Sequence, residues 1–295
     1  MYNMPPVTKN LIFINVLFFL ATNVLVKYGY DLNDMFGLHF FMASDFKFYQ
    51  LLTYMFMHGN LMHIFFNMLA VWMFGRIVEV AWGSRRFLIY YLICGIGAGL
   101  FQEIVQWIDF QASGMAAYDS VNMGGSIIPM QAYLNLMTTV GASGAVYGIL
   151  LAFGLSYPDE RMFVFPIPVP IKAKYFVIGY AVIELFSGLN SSNDGVAHFA
   201  HLGGMIVGFL LILYWSHGNR LDSEGYIAKI KKFFRDRKKP KMKVHYGERE
   251  QDYQYNAKTQ EEQAELDRIL DKLRKSGYQS LTVDEKKKLF EASHK

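Results

Sequence analysis

The chain has 295 residues, 53% of them hydrophobic and only 18% charged, with a formal net charge of +4. The charge is uneven: from Leu11 to Tyr214 charges are sparse, whereas Arg220 to Lys295 is dense in Lys, Arg, Asp and Glu. An ordinary water-soluble globule is thereby excluded, and the small positive excess, explained by the tail, implies no nucleic-acid partner.

Uncharged runs at 10–26, 48–75, 120–158 and 195–219 have the length needed to cross a bilayer, about 20 apolar residues. The first, in "MYNMPPVTKNLIFINVLFFL", is followed by no A-x-A-like cleavage site and reads as a retained span rather than a signal peptide. No Arg/Ser-rich organelle leader is recognisable. Six helices are predicted in chain order, at 10–27, 55–76, 86–107, 139–157, 174–189 and 196–216, giving an all-α polytopic membrane bundle. Glu103 and Glu184 interrupt the third and fifth, each near one end, where a long side chain snorkels to the interface. The sole cysteine, Cys94 in "YYLICGIGAGL", reads as a small buried hydrophobe.

Orientation follows from lysine and arginine. Arg76, Arg85 and Arg86 lie between the second and third helices, and Arg161, Lys172 and Lys174 between the fourth and fifth. A dense basic series follows the sixth, whereas 108–138 and 190–195 have none. The positive-inside rule then places both termini in the cytoplasm. The basic run at 229–243 suits anionic lipid headgroups, at about 1 kcal/mol per residue near the surface. Beyond Pro240, "EEQAELDRILDKLRKSG" and "SLTVDEKKKLFEASHK" read as a small helical hairpin for regulation or docking, its second helix opened by a Thr282-x-x-Glu285 capping box. The expected organisation is a membrane domain at 1–218, a basic juxtamembrane segment at 219–256 and the hairpin at 257–295.

Within the bundle, polar residues converge. The second, fourth and sixth helices all descend from the outer face, with Ser143 about one turn into the fourth, His63 and Asn67 in the outer half of the second, and His198 and His201 in the first turns of the sixth. At 1.5 Å rise per residue these groups share a layer within about 10 Å of the outer surface. Strongly polar groups inside a membrane face the bundle interior and mark function. The bland alternative, interhelical hydrogen-bond glue, explains one such residue better than four at one depth. His63 and Asn67 share a face at i,i+4, as do Ser143 and Tyr147. His58 stands about 140° from His63 on a regular helix, so the two are not expected to pair as metal ligands. Gly144-x-x-x-Gly148 and Gly204-x-x-x-Gly208 are small-x-x-x-small patterns that let two helix backbones approach, bringing Ser143 to a histidine of the sixth helix.

A serine hydroxyl becomes nucleophilic when a neighbouring base takes its proton, and histidine suits that role near neutrality. Ser143 would attack a carbonyl and His201 would accept and return the proton. The Ser143 N–H, near a helix N-terminus, and the side chains of His63 and Asn67 are candidate oxyanion donors. No carboxylate is expected at this depth, so the reading is a Ser–His dyad, with Tyr147 either stacking on His201 or serving as an ordinary buried aromatic.

"HGNLMHIFFN", "GASGAVYG" and "AHLGGMIVG", in that order, closely resemble the rhomboid intramembrane serine proteases across roughly 10–216. The resemblance implies a six-helix fold, Ser143 as nucleophile flanked by Gly141 and Gly144, His201 as base, and His63 and Asn67 at the oxyanion. It makes His58 a structural outer member of the motif and His198 a neighbour of the base. Gly75-x-x-x-Glu79-x-x-x-Gly83 is similar to a structural signature of the family. Where many relatives carry Trp-Arg in the first external loop, this chain holds Tyr49-Gln50. The expected partners are transmembrane segments of substrate proteins and membrane lipids, no cofactor or metal is called for, and the expected location is the bacterial inner membrane. The fifth helix would be the mobile wall through which substrate arrives, and 189–195 the lid. Two rivals stand beside this reading: a catalytically inactive relative that binds membrane clients, and a metal site or transporter built from His58, His63, His198 and His201.

Overall fold

The computed structural model describes residues 4–164, 167–190, 196–217 and 249–292. The chain divides into two units, Met1–Arg237 and Lys238–Lys295. The basic run at 229–243 lies outside the described residues, as do 191–195 of the expected lid.

The first unit is mostly helical. Helix α1 spans Pro6–Leu25. Helix α2, Leu61–Ala70, runs through a π-helical turn at Val71–Gly75 into α3, Arg76–Trp82. Then come α4 (Ser84–Ala112), α5 (Ser143–Ser156), α6 (Ala173–Leu189) and α7 (His198–His217). Among the described residues, four helical stretches are long and apolar enough to cross a membrane: Pro6–Tyr28, Leu61–Trp82, Ser84–Ala112 and His198–Ser216. Helix α5 is apolar but short, about 21 Å at 1.5 Å per residue against about 30 Å of hydrocarbon. Its first residue is Ser143 itself, so the serine stands at the helix start rather than a turn inside it.

Helix α7 packs chiefly on α4 and α5, and the glycine patterns explain how closely. A Cβ added to Gly204 would collide with the Gly144 carbonyl, and one on Gly148 would lie 2.6 Å from Cys94 Sγ. Tyr90 donates its hydroxyl to Gly148 O at 2.9 Å, and Tyr54 donates to Gly95 O at 2.6 Å. Phenols thus satisfy backbone carbonyls inside the packed core. Around them Phe87, Tyr91, Ile149 and Ile212 are fully buried. The faces turned outward are apolar too: Phe13 on α1 is 66% exposed, as suits a surface solvated by lipid tails.

The N-terminus of α1 is held from a distance. Glu79 on α3, buried, accepts from the Val7 and Thr8 N–H groups at 3.0 and 2.7 Å, and from the Thr8 and Ser84 hydroxyls, both at 2.7 Å. Two of the amides that a helix start leaves unpaired are satisfied this way.

The loops carry more order than the sequence pattern indicates. Strand β1 (Leu38–His39) pairs antiparallel with β4 (Thr138–Thr139), while β2 (Ser120–Met123) and β3 (Ser126–Pro129) form one hairpin, and β5 (Arg161–Val164) and β6 (Ile167–Lys172) another. Tyr49 and Gln50 fasten the first loop. The Tyr49 hydroxyl donates to Met35 O at 3.1 Å, and the buried Gln50 amide bonds Lys47 N at 2.9 Å and Asp45 O at 3.0 Å.

In the second unit, α8 (Arg249–Ser276) and α9 (Val283–Ala292) are joined through Gly277 at φ +75°. Thr282 N–H donates to Glu285 Oε2 at 2.8 Å and Glu285 N–H to Thr282 Oγ1 at 3.3 Å, a reciprocal capping box. Lys272 of α8 donates to both Glu285 oxygens, at 3.1 and 2.8 Å.

Candidate active site

Pairing of β1 with β4 sets Val140 and Gly141 beside the short 3-10 turn at Tyr54–Phe56 that precedes α2, where Gly141 N–H donates to Tyr54 O at 2.9 Å. Gly141 holds φ +130°, and a Cβ there would lie 2.6 Å from His63 Nε2. Only glycine permits both the backbone turn and that approach. The chain then enters α5 at Ser143, whose N–H is among the donors a helix N-terminus leaves without an intrahelical partner.

Ser143 Oγ lies 2.8 Å from His201 Nε2. Across the imidazole, Tyr147 stacks face to face, centroids 4.3 Å apart and planes 8° from parallel. The i,i+4 spacing from Ser143 places the phenol there, one turn further along the same face. His201 is buried.

His63 and Asn67 both point from α2 into a cavity of about 730 Å³ lined also by Gly141, Ser143, Tyr147, Ala200 and His201. Asn60 caps α2 by accepting the His63 N–H at 2.8 Å, which fixes where the helix begins and hence which face carries both residues. The Asn67 Nδ2 is buried and has no hydrogen-bond partner among the described residues, on a residue that lines the cavity. His58, by contrast, precedes the helix. Its ring packs edge-on against His63 with centroids 5.0 Å apart, a ring contact that follows from residues 57–60 not being helical.

The expectation of no carboxylate at this depth is corrected. Glu184 of α6 is buried at 6% exposure, and its Oε2 stands 2.9 Å from His201 Nδ1 and 2.7 Å from His198 Nδ1. Its Oε1 accepts the Tyr147 hydroxyl. The side chain therefore does not snorkel, because three donors inside the bundle meet it. Glu103 likewise turns inward, its Oε2 accepting the Phe41 N–H at 2.7 Å.

The donor atoms of Glu184, His198 and His201 lie within 4.8 Å of one another, a spacing that could surround a cation. Here both Nδ1 atoms already engage the carboxylate directly. Among the described residues, His58 and His63 are not part of that group.

Residues 45–218, more than half of the chain, match the Rhomboid domain, and residues 250–295 match a family of unknown function, DUF6576. The chain is similar to the rhomboid protease AarA of Providencia stuartii, 32% identical over 53% of this chain and 52% of that one. It is similar to rhomboid-like protein 16, chloroplastic, of Arabidopsis thaliana, 27% identical over 68% of this chain and 59% of the relative. It also resembles the rhomboid protease GluP of Bacillus subtilis, 28% identical over 64% of this chain and 29% of the relative. The chain thus spans little more than half the length of the first two.

Proposed function

The chain belongs to the rhomboid family, and from that premise we propose that it is an intramembrane serine endopeptidase cleaving transmembrane segments of other membrane proteins near the outer face. The observation that carries this reading is the 2.8 Å contact between Ser143 Oγ and His201 Nε2 beside an open cavity. In the proposed reaction His201 takes the Ser143 proton as Oγ attacks the scissile carbonyl, then returns it to the leaving amine as the C–N bond breaks. Water completes hydrolysis of the acyl-enzyme by the same transfers in reverse. His63, Asn67 and the Ser143 N–H are the proposed oxyanion donors, and the Tyr147 ring holds the imidazole plane. Gly141 and Gly144 supply the turn and the close helix approach that this placement needs.

The proposal includes six spans, with α5 and α6 as the two shorter ones, both termini cytoplasmic and a bacterial inner membrane as the site of action. The positive-inside distribution supports that orientation. Labelling of the purified protein with a fluorophosphonate tests the chemistry. Wild type is expected to label, while Ser143→Ala and His201→Ala are not; a wild-type chain that stays unlabelled, or a Ser143→Ala chain that labels equally, overturns the reading.

A further inference from the structure

We propose that Glu184 is a positioning residue for the base, so that α6 supplies the third member of a Ser143–His201–Glu184 relay; this rests on the protease reading above. The carboxylate is buried and accepts from three side chains: His201 Nδ1 at 2.9 Å, His198 Nδ1 at 2.7 Å, and the Tyr147 hydroxyl. An ionised carboxylate only accepts hydrogen bonds, so each imidazole facing it must carry its proton on Nδ1. For His201 that leaves Nε2 bare, and Nε2 is the atom 2.8 Å from Ser143 Oγ. The tautomer needed to receive the serine proton is therefore selected by a residue on another helix. Ring contact with Tyr147 fixes the imidazole plane but is indifferent to which nitrogen holds the proton. The carboxylate supplies that missing information, and Tyr147 and His198 hold the carboxylate.

The proton path balances without Glu184 changing state. When Ser143 Oγ bonds the carbonyl carbon, the carbonyl π pair moves to oxygen and the hydroxyl proton goes to His201 Nε2. The resulting imidazolium keeps its Nδ1–H on Glu184, whose negative charge stabilises it. Collapse of the tetrahedral species breaks the C–N bond, and the amine leaves with the Nε2 proton.

Glu184→Gln is nearly isosteric and tests the assignment, since an amide can present a donor to Nδ1 and favour the wrong tautomer. The expected result in detergent-solubilised full-length protein is fluorophosphonate labelling of Ser143 slowed by about 10²–10⁴-fold, a thermal midpoint near that of wild type, and ¹⁵N-histidine signals of His201 moved from the Nδ1–H form. Labelling at the wild-type rate overturns the proposal, as does slowed labelling with the His201 tautomer unchanged, which marks a packing role. Should Glu184→Gln not fold, the wild-type ¹⁵N spectrum decides: Nδ1 protonated with Nε2 bare supports the assignment, and the opposite tautomer sinks it. A wild-type chain that labels while Glu184→Gln labels equally fails this inference alone; one that does not label fails the protease reading and this inference with it.

Discussion

At the scale of single residues, the side chains with chemical potential are those that break the apolar rule. Asn67 is the plainest: a buried amide donor with no partner among the described residues, facing the cavity beside Ser143. A group left unpaired in the resting fold contributes nothing to holding it together, and desolvating it has a cost. Asn67→Ala is therefore expected to leave the thermal midpoint within a few degrees of wild type while lowering kcat by about 10²–10³-fold, measured on a membrane-anchored reporter. Loss of folding with retained turnover per folded molecule would contradict this. That Ser143, His63, Asn67 and His201 line one cavity was legible in the sequence because helical rise converts residue number into depth. The same arithmetic applied to the fifth predicted helix, which ascends, places Glu184 only about 8 Å below its outer end, in the same layer. Depth alone is equally compatible with an interfacial charge. What counting depth does not provide is rotation about the helix axis, and rotation decides whether a carboxylate meets lipid headgroups or an imidazole.

At the scale of elements, boundaries are set by caps rather than by hydropathy. Asn60 starts α2 by accepting the His63 N–H, which is why residues 57–60 stay outside the helix and His58 folds back onto His63. The predicted start at 55 followed apolar content alone. Glu79 acts at longer range, capping α1 across more than 70 residues of sequence. Hydrogen bonds to a charged group are each worth about 1.5–3 kcal/mol, and removing this carboxylate strands several donors at once. Glu79→Ala is expected to loosen α1 first, seen as faster amide exchange across Pro6–Leu25 and a thermal midpoint several degrees lower. Exchange in α1 unchanged from wild type would show the cap to be dispensable. The short strands were invisible to periodicity because two to six residues are too few to register an alternation.

At the scale of the whole molecule, a lipid-facing unit of buried tyrosines and close-packed glycines is followed by a water-loving hairpin built on a different principle. The Lys272 ammonium, together with the Thr282 amide, pulls the Glu285 carboxyl down to about 2. A carboxyl depressed in the fold contributes stability that is complete above its ordinary value of about 4.5 and is lost as pH falls toward the depressed one. Methyl NMR of Ile269 and Leu281 in the solubilised chain should therefore show the hairpin holding at pH 5 and loosening between about pH 4.5 and about pH 2, with Glu285→Ala already loosened at pH 5. A hairpin indifferent to both would refute the assignment. The hairpin was readable from its charge pattern and capping box, whereas its matching to a distinct family names no role.

The brevity of α5 has a bearing on how a water-requiring reaction proceeds in oil. A stave some nine ångströms shorter than the hydrocarbon is thick, by the roughly 21 Å and 30 Å figures above, with the hydroxyl at its first residue, would leave a dent in the rim of the bundle with that hydroxyl at its floor. On the protease reading proposed above, such a hollow would admit solvent without piercing the bilayer, and a peptide would have to bend down into it to be cut.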